Sequence, residues 1–165
     1  MAKAWQTARL TLTLMLSLAM LTACGWQLRG QVNLPAPLKI LSIENGGVDN
    51  VTFNYVQQAL LSNGVTLSDD ADYLLSLENE NNSRRVLAVT SNAKASEYEL
   101  KQTLTARISK DNWQQTIEVS SYRTQLYDAA AEIGKAQEAA ELRADMRRDN
   151  ANRLLRRLQN LKLEP

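Results

Sequence analysis

Between Asp72 and Tyr127 apolar residues recur at every second position, and helical spacing replaces that rhythm on both sides of the block. Successive strand side chains point to opposite faces, so period two commits this stretch to a sheet with one apolar side. Polar clusters at 79–84 and 91–96, together with Lys110-Asp111-Asn112, divide it into three strands joined by hairpin-like turns. Tyr73, Leu75 and Leu77 face one way in the first, and Val86 to Val89 is an open continuation of it. Tyr98, Leu100, Leu104, Ala106 and Ile108 line one face of the second, Ile117 and Val119 one face of the third, with Tyr127 near its end. Thr103, Thr105, Arg107, Thr116, Glu118 and Ser120 occupy the opposite faces, leaving one side of the sheet for water or another protein.

A shorter strand precedes this block at Lys39 to Glu44, carried by Ile40, Leu41 and Ile43. Asp49 or Asn50 caps a helix running to Leu61, with Phe53, Val56, Ala59 and Leu60 on one stripe and Asn63-Gly64 as a left-handed stop. The longest helical pattern, Glu132 to Leu161, repeats Leu142, Met146, Leu154, Leu158 and Leu161, widened by Ala139, Ala151 and Leu155. The order β-α-β-β-β-α predicts an α+β fold, a two-layer sandwich of a four-stranded, mostly antiparallel sheet with both helices on one face. Six arginines between 143 and 157 alternate with acids on the last helix. Such a run reads as a solvated face, or more sharply as a grip on a partner protein or anionic lipid.

The chain opens differently. Lys3 and Arg9 precede an apolar run from Leu10 to Leu21, closed by Leu21-Thr22-Ala23-Cys24, which holds the only cysteine. This is the shape of an export signal, and a dozen apolar residues fall short of the ~20 that span a bilayer as a helix. The cysteine at its end fits a bacterial lipoprotein: its thiol accepts a diacylglyceryl group, cleavage removes residues 1–23, and the new amino terminus takes an N-acyl chain. Two or three acyl chains anchor stably where one does not. An ordinary core cysteine, or half of an intermolecular disulfide, explains that placement poorly. In bacterial lipoproteins aspartate after the cysteine favours inner-membrane retention, so Gly25 points to the outer membrane with the body facing the periplasm. Residues 24–37, with prolines at 35 and 37, form an extended lead, and 38–165 a single domain. Trp26 reads as a headgroup-level aromatic or, with Leu28, as a packing residue of that lead.

Removing residues 1–23 takes two positive charges and no acid, moving the formal charge from +1 to −1, so nucleic acid is not the implied partner. The chain has no histidine, which excludes His-dependent nucleophile activation, histidine zinc sites and imidazole acid–base chemistry. Carboxylate chemistry survives, with Asp69, Asp70, Asp72, Glu78 and Glu80 as its candidates. Each has a plainer reading: the aspartates as a turn, Glu78 and Glu80 as the solvent face or end of a strand. No phosphate-binding glycine loop or G-x-S-x-G is present, no resident cofactor or metal is expected beyond the lipid on Cys24, and no catalytic residue is assigned.

Cys24-Gly25-Trp26-Gln27-Leu28-Arg29-Gly30 resembles the C-G-(Phe/Trp)-x-Leu-Arg-Gly start of the lipopolysaccharide-assembly lipoproteins, the LptE (RlpB) family. Leu61-Ser62-Asn63-Gly64-Val65, Ser96-Glu97-Tyr98, Tyr122-Arg123-Thr124 and Arg153-Leu154-Leu155-Arg156-Arg157-Leu158 follow in the family's order. The resemblance implies a non-catalytic outer-membrane lipoprotein that plugs a large lipopolysaccharide-translocating β-barrel, assists its assembly and can bind lipopolysaccharide. The family's lipopolysaccharide contacts involve basic residues near the loop before the Glu-Tyr strand and after the final strand. Lys135 matches the second region. In the first, Ser91 and Asn92 stand where arginine is sought, Lys94 is the nearest cation, and Arg84 and Arg85 substitute if the hairpin brings them close. Each of these four also reads as a solvated surface charge. Two rival functions remain: an envelope adaptor for peptidoglycan or the barrel-assembly machinery, and a periplasmic enzyme built on the carboxylates.

Overall fold

The computed structural model describes residues 32–91, 95–126 and 132–163. Cys24, Trp26, Leu28, Lys94 and Tyr127 lie outside them. A single 3-10 turn at Ala36–Lys39 leads into β1 (Ile40–Asn45), followed by α1 (Asn50–Ser62), β2 (Thr66–Leu67), β3 (Leu74–Val89), β4 (Ala95–Lys110), β5 (Trp113–Leu126) and α2 (Glu132–Gln159). The sheet has five strands, in the order β2-β1-β3-β4-β5, where the sequence pattern predicted four. The extra strand is two residues long and pairs in parallel with Ile40 and Leu41. So short a parallel pairing leaves no periodicity to read. β1 runs parallel to β3, and β3, β4 and β5 form antiparallel hairpins.

The polar cluster at 79–84 does not interrupt a strand: β3 continues through it, still paired with β4 from Asn79↔Thr105 to Val89↔Ala95. Backbone pairing needs no apolar alternation where a strand extends past its covering layer, and residues 81–87 are exposed. A register shift between Leu77 and Asn79 bends the strand there.

Both helices cover one side of the sheet. Leu75 and Leu77 of β3, Leu100, Leu104, Ala106 and Ile108 of β4, and Ile117 and Val119 of β5 are buried beneath them. From α1 come Val56 and Leu60, from α2 Met146, Ala151, Leu154, Leu155 and Leu158. Replacing a fully buried leucine such as Leu104 by alanine removes about 2–5 kcal/mol in sites of this kind. Val32 and Leu34, from the segment read as a lead, and Leu38 of the 3-10 turn also join this core. The Val32 N–H donates to Asn63 Oδ1 at 2.7 Å.

Local chemistry explains the boundaries. Asp49 caps α1 by accepting the Val51 N–H at 2.8 Å. At its other end Gly64 takes φ +77°, while the Asn63, Gly64 and Val65 N–H groups return to Leu60 and Leu61 carbonyls. Gly47 (φ +146°) is held so close to β3 that a Cβ there would lie 2.7 Å from the Glu78 carbonyl oxygen. Asp111, with φ +50°, makes the tight turn between β4 and β5.

Candidate functional site

The sheet has two unlike ends. The lower end gathers the β4–β5 turn, the entry of the chain at Val32, the last turns of both helices and the 68–73 loop. The upper end is formed by residues 84–89, 95–100 and 121–126 and the beginning of α2.

Arg84, Val86 and Tyr98 share the helix-side face at the upper end, because Arg84 stands opposite Leu100 and Val86 opposite Tyr98. The Arg84 guanidinium lies over the Tyr98 ring at 4.3 Å, a contact that orients the charge while leaving it in water. Across β4, Tyr98 is opposite Gln125, whose Nε2 donates to the Lys135 carbonyl at 2.8 Å. That bond fixes the first turns of α2 over the same corner, and Lys135 Nζ pairs with Glu138 at 2.7 Å. Arg84 and Lys135 are therefore brought to one end and one face.

Arg85 is placed apart from them. Its side chain lies on the outer face and grips Glu99 with two hydrogen bonds of 2.7 and 3.2 Å. That bonding holds the Glu99 carboxyl below its ordinary range and raises the Arg85 guanidinium further. On the same face Lys101 sits over the Tyr122 ring at 5.6 Å.

Sequence reasoning passed over the apolar character of this end. Val86, Leu87, Val89 and Leu126 are exposed, Leu126 to 65%, and Tyr122 is half exposed. Val86 faces the helix side beyond the covering helices, whereas Tyr122 and Leu126 stand opposite Lys101 and Glu97 on the uncovered outer face. Cations beside exposed apolar residues suit a ligand that is itself both anionic and apolar, or a protein wall with that pattern.

The carboxylates proposed for catalysis do not converge. Asp70 belongs to a turn in which its N–H meets Ser68 Oγ at 3.3 Å. Asp72 pairs with Lys110 at 3.3 Å, which raises the lysine's pKa, and Glu78 pairs with Arg107 on the outer face. Among the described residues no group of three metal-ligating side chains forms, and no helix is long and apolar enough to cross a membrane.

Glu80 corrects the expectation of a solvent-facing pair. The register shift turns it away from Glu78 and under the helices, leaving its side chain 5% exposed. There it accepts from Thr52 Oγ1 of α1 and from Gln102 Nε2 at 2.7 Å, with Arg147 Nε of α2 at 3.5 Å. Arg147 also bonds Thr52 Oγ1 at 3.1 Å, and Asn150 Nδ2 reaches the Gln102 carbonyl at 3.1 Å. Gln102 is fully buried, and its position on the apolar face of β4 was the one sequence signal of this network. The cluster ties both helices to β3 and β4 and fixes their placement on the sheet.

Comparison with known proteins agrees with this geometry. The chain is 30% identical over 156 residues to the LPS-assembly lipoprotein LptE of Yersinia pestis (strain Pestoides F), covering 89% of this chain and 74% of that one. The same figures hold for the protein of that name from Yersinia pseudotuberculosis serotype O:1b (strain IP 31758). Among solved structures, rare lipoprotein B of Shewanella oneidensis shares the fold with a TM-score of 0.67 at 22% identity, over 73% of this chain and 94% of that one. A minor lipoprotein of Acinetobacter baumannii aligns with a TM-score of 0.65 at 25% identity, over 79% and 100% of the two chains. The Lipopolysaccharide-assembly (LptE) family profile matches residues 36–158, from the 3-10 turn to the last turn of α2, and the chain belongs to that family.

Proposed function

We propose that this protein is an outer-membrane lipoprotein of lipopolysaccharide assembly, acylated on Cys24, that plugs a large lipopolysaccharide-translocating β-barrel and presents its upper end to lipopolysaccharide. Its family and the names of its relatives support the assembly role. The observation that carries the finer reading is the upper end of the sheet, where Arg84 and Lys135 share a face with exposed Val86, while exposed Val89 and Leu126 stand on the outer face of the same end. Lipopolysaccharide combines clustered phosphates with acyl chains, so its recognition needs cations next to apolar surface. Arg84 supplies a planar, permanently charged donor set held by Tyr98, and Lys135 a point charge one layer above, paired with Glu138 one helical turn on. Lys94 falls between β3 and β4 in sequence and lies outside the described residues. Arg85, engaged by Glu99 on the outer face, contributes least. No turnover is involved: the work is done by shape, charge and anchoring.

The test is lipopolysaccharide binding by the mature, unacylated chain. A charge-assisted hydrogen bond is worth about 1.5–3 kcal/mol, so Arg84→Ala with Lys135→Ala lowers affinity at least tenfold, while Arg85→Ala changes it less than threefold. Equal affinity for the double variant and wild type rejects the assignment of this end.

A further inference from the structure

The lower end carries a second basic feature that the upper-end reading leaves unused. Two adjoining hollows of about 620 and 420 Å³ run between β5 and the last turns of α2. Gln115 to Ser120 form one wall, and Arg153, Arg156, Arg157, Asn160 and Lys162 line the other. Among the described residues Glu118 is the one carboxylate lining them. Asp149 lies beside the groove but is shared: Arg153 at 3.1 Å, Arg123 at 3.8 Å and Arg156 at 4.0 Å all turn to it. Arg157 is exposed and has no ion pair among the described residues. Positive charge therefore exceeds negative charge in a concave site of headgroup size.

Position supplies the second argument. The chain enters the domain at this same end, where the Val32 N–H is bonded to Asn63 at the close of α1. Only eight residues, 24–31, separate Val32 from Cys24, and fully extended they reach at most ~28 Å. An acylated Cys24 would thus keep Val32, at the same end as the groove, within that distance of a bilayer. The opposite corner of the lower end, beside β1, is lined by Asp70 and Asp72, with Lys110 as its one cation, paired with Asp72. An anionic surface attracts the β5–α2 side and repels that corner.

We propose that this groove binds the phosphate headgroups of anionic phospholipids and seats the domain on the membrane with its β5–α2 side down. The proposal rests on the acylation reading for its geometry, but its test does not: the chain used is residues 24–165 with Cys24→Ser, so acyl chains play no part. The probes are vesicles of phosphatidylethanolamine and phosphatidylglycerol at 70:30 and vesicles of phosphatidylcholine alone, compared by sedimentation at low salt. Each cation near such a surface contributes about fivefold, and with Asp149 and Glu118 offsetting two of the groove's four the anionic vesicles bind about 25-fold more strongly. Arg157→Glu, a surface change checked for folding by circular dichroism, lowers that binding about 20-fold, whereas Arg143→Glu, the same charge change higher on α2, lowers it less than threefold.

Equal losses in the two variants, or no preference for anionic vesicles, overturn the proposal. Complete displacement by 10 mM inorganic phosphate assigns the groove to free phosphate and also overturns it. Unchanged vesicle binding by Arg157→Glu, with loss of an acidic protein companion from native membranes, assigns it to a protein strand and overturns it likewise. The acylation reading is judged separately, by the mass of the native mature N-terminus.

Discussion

Replacing Arg147 by methionine is expected to destabilise the domain by about 2–3 kcal/mol, because it strands the Glu80 carboxylate beneath the helices. Breaking a buried ion pair costs about 3–5 kcal/mol when one charge is left alone. Two features lower that figure. The Glu80 oxygens keep their donors Thr52 Oγ1 and Gln102 Nε2, and the guanidinium lies at 3.5 Å, toward the outer limit of an ion pair. Adding Glu80→Gln to the same chain removes the orphaned charge while preserving the side chain's shape. The double variant then returns to within about 1 kcal/mol of wild type, a coupling of about 2 kcal/mol between the two sites. Urea unfolding followed by circular dichroism reads this directly. With m of roughly 2 kcal/mol/M for a domain of this size, Arg147→Met moves the midpoint down by about 1–1.5 M and the double variant restores most of it. A midpoint unmoved by Arg147→Met, or strictly additive effects, would refute the idea that this network fixes the helices on the sheet.

Other consequences are as specific. Gly47→Ala meets the Glu78 carbonyl at 2.7 Å in a backbone region unfavourable to L residues and costs about 1–3 kcal/mol. Gly64→Asn, in open space at φ +77°, costs under about 1 kcal/mol, and equal losses in thermal unfolding would contradict the close approach at Gly47. The Glu99 carboxyl titrates below the ordinary 4.5, chiefly because Arg85 hydrogen-bonds its charged form. A carboxyl lowered in this way adds stability above its unfolded pKa, and that contribution is lost as pH falls through the folded value. An NMR titration finds the midpoint rising in Arg85→Ala. A wild-type midpoint at or above 4.5 goes against the pairing.

What could be read in advance was what local chemistry encodes. The cap at Asp49, the Asn63-Gly64 stop, the Asp111 turn and the period-two rhythm of β4 and β5 all act within a few residues of themselves, and each stands where the pattern placed it. β2 escaped notice because two residues in parallel pairing depend on a distant partner. The unbroken run of β3 escaped because a polar stretch looks like a loop when the strand beneath it is held by backbone bonds to β4. Glu78 and Glu80 were read together because they are two apart, but one register shift sends them to opposite faces. For the upper end, Lys135 and Arg84 were found by resemblance and by charge. Their meeting depends on Gln125 reaching α2, and the separation of Arg85 depends on strand parity, which the polar cluster obscured. The exposure of Val86 had no local signal, since it is decided by where α2 begins, and Tyr122 and Leu126 are exposed because they face the side of the sheet without helices.

The central claim is that the upper end of this lipoprotein sits inside a barrel. Photo-crosslinking in native outer membranes tests it, with a photoreactive residue placed at Val89 or Leu126, both exposed at that end, and a control at Ile40, exposed at the lower end. The account predicts a one-to-one adduct with a large lipopolysaccharide-translocating β-barrel protein from Val89 and Leu126, and little or none from Ile40. Adducts confined to peptidoglycan or to the general barrel-assembly machinery, or a protein recovered with no barrel companion, would contradict it.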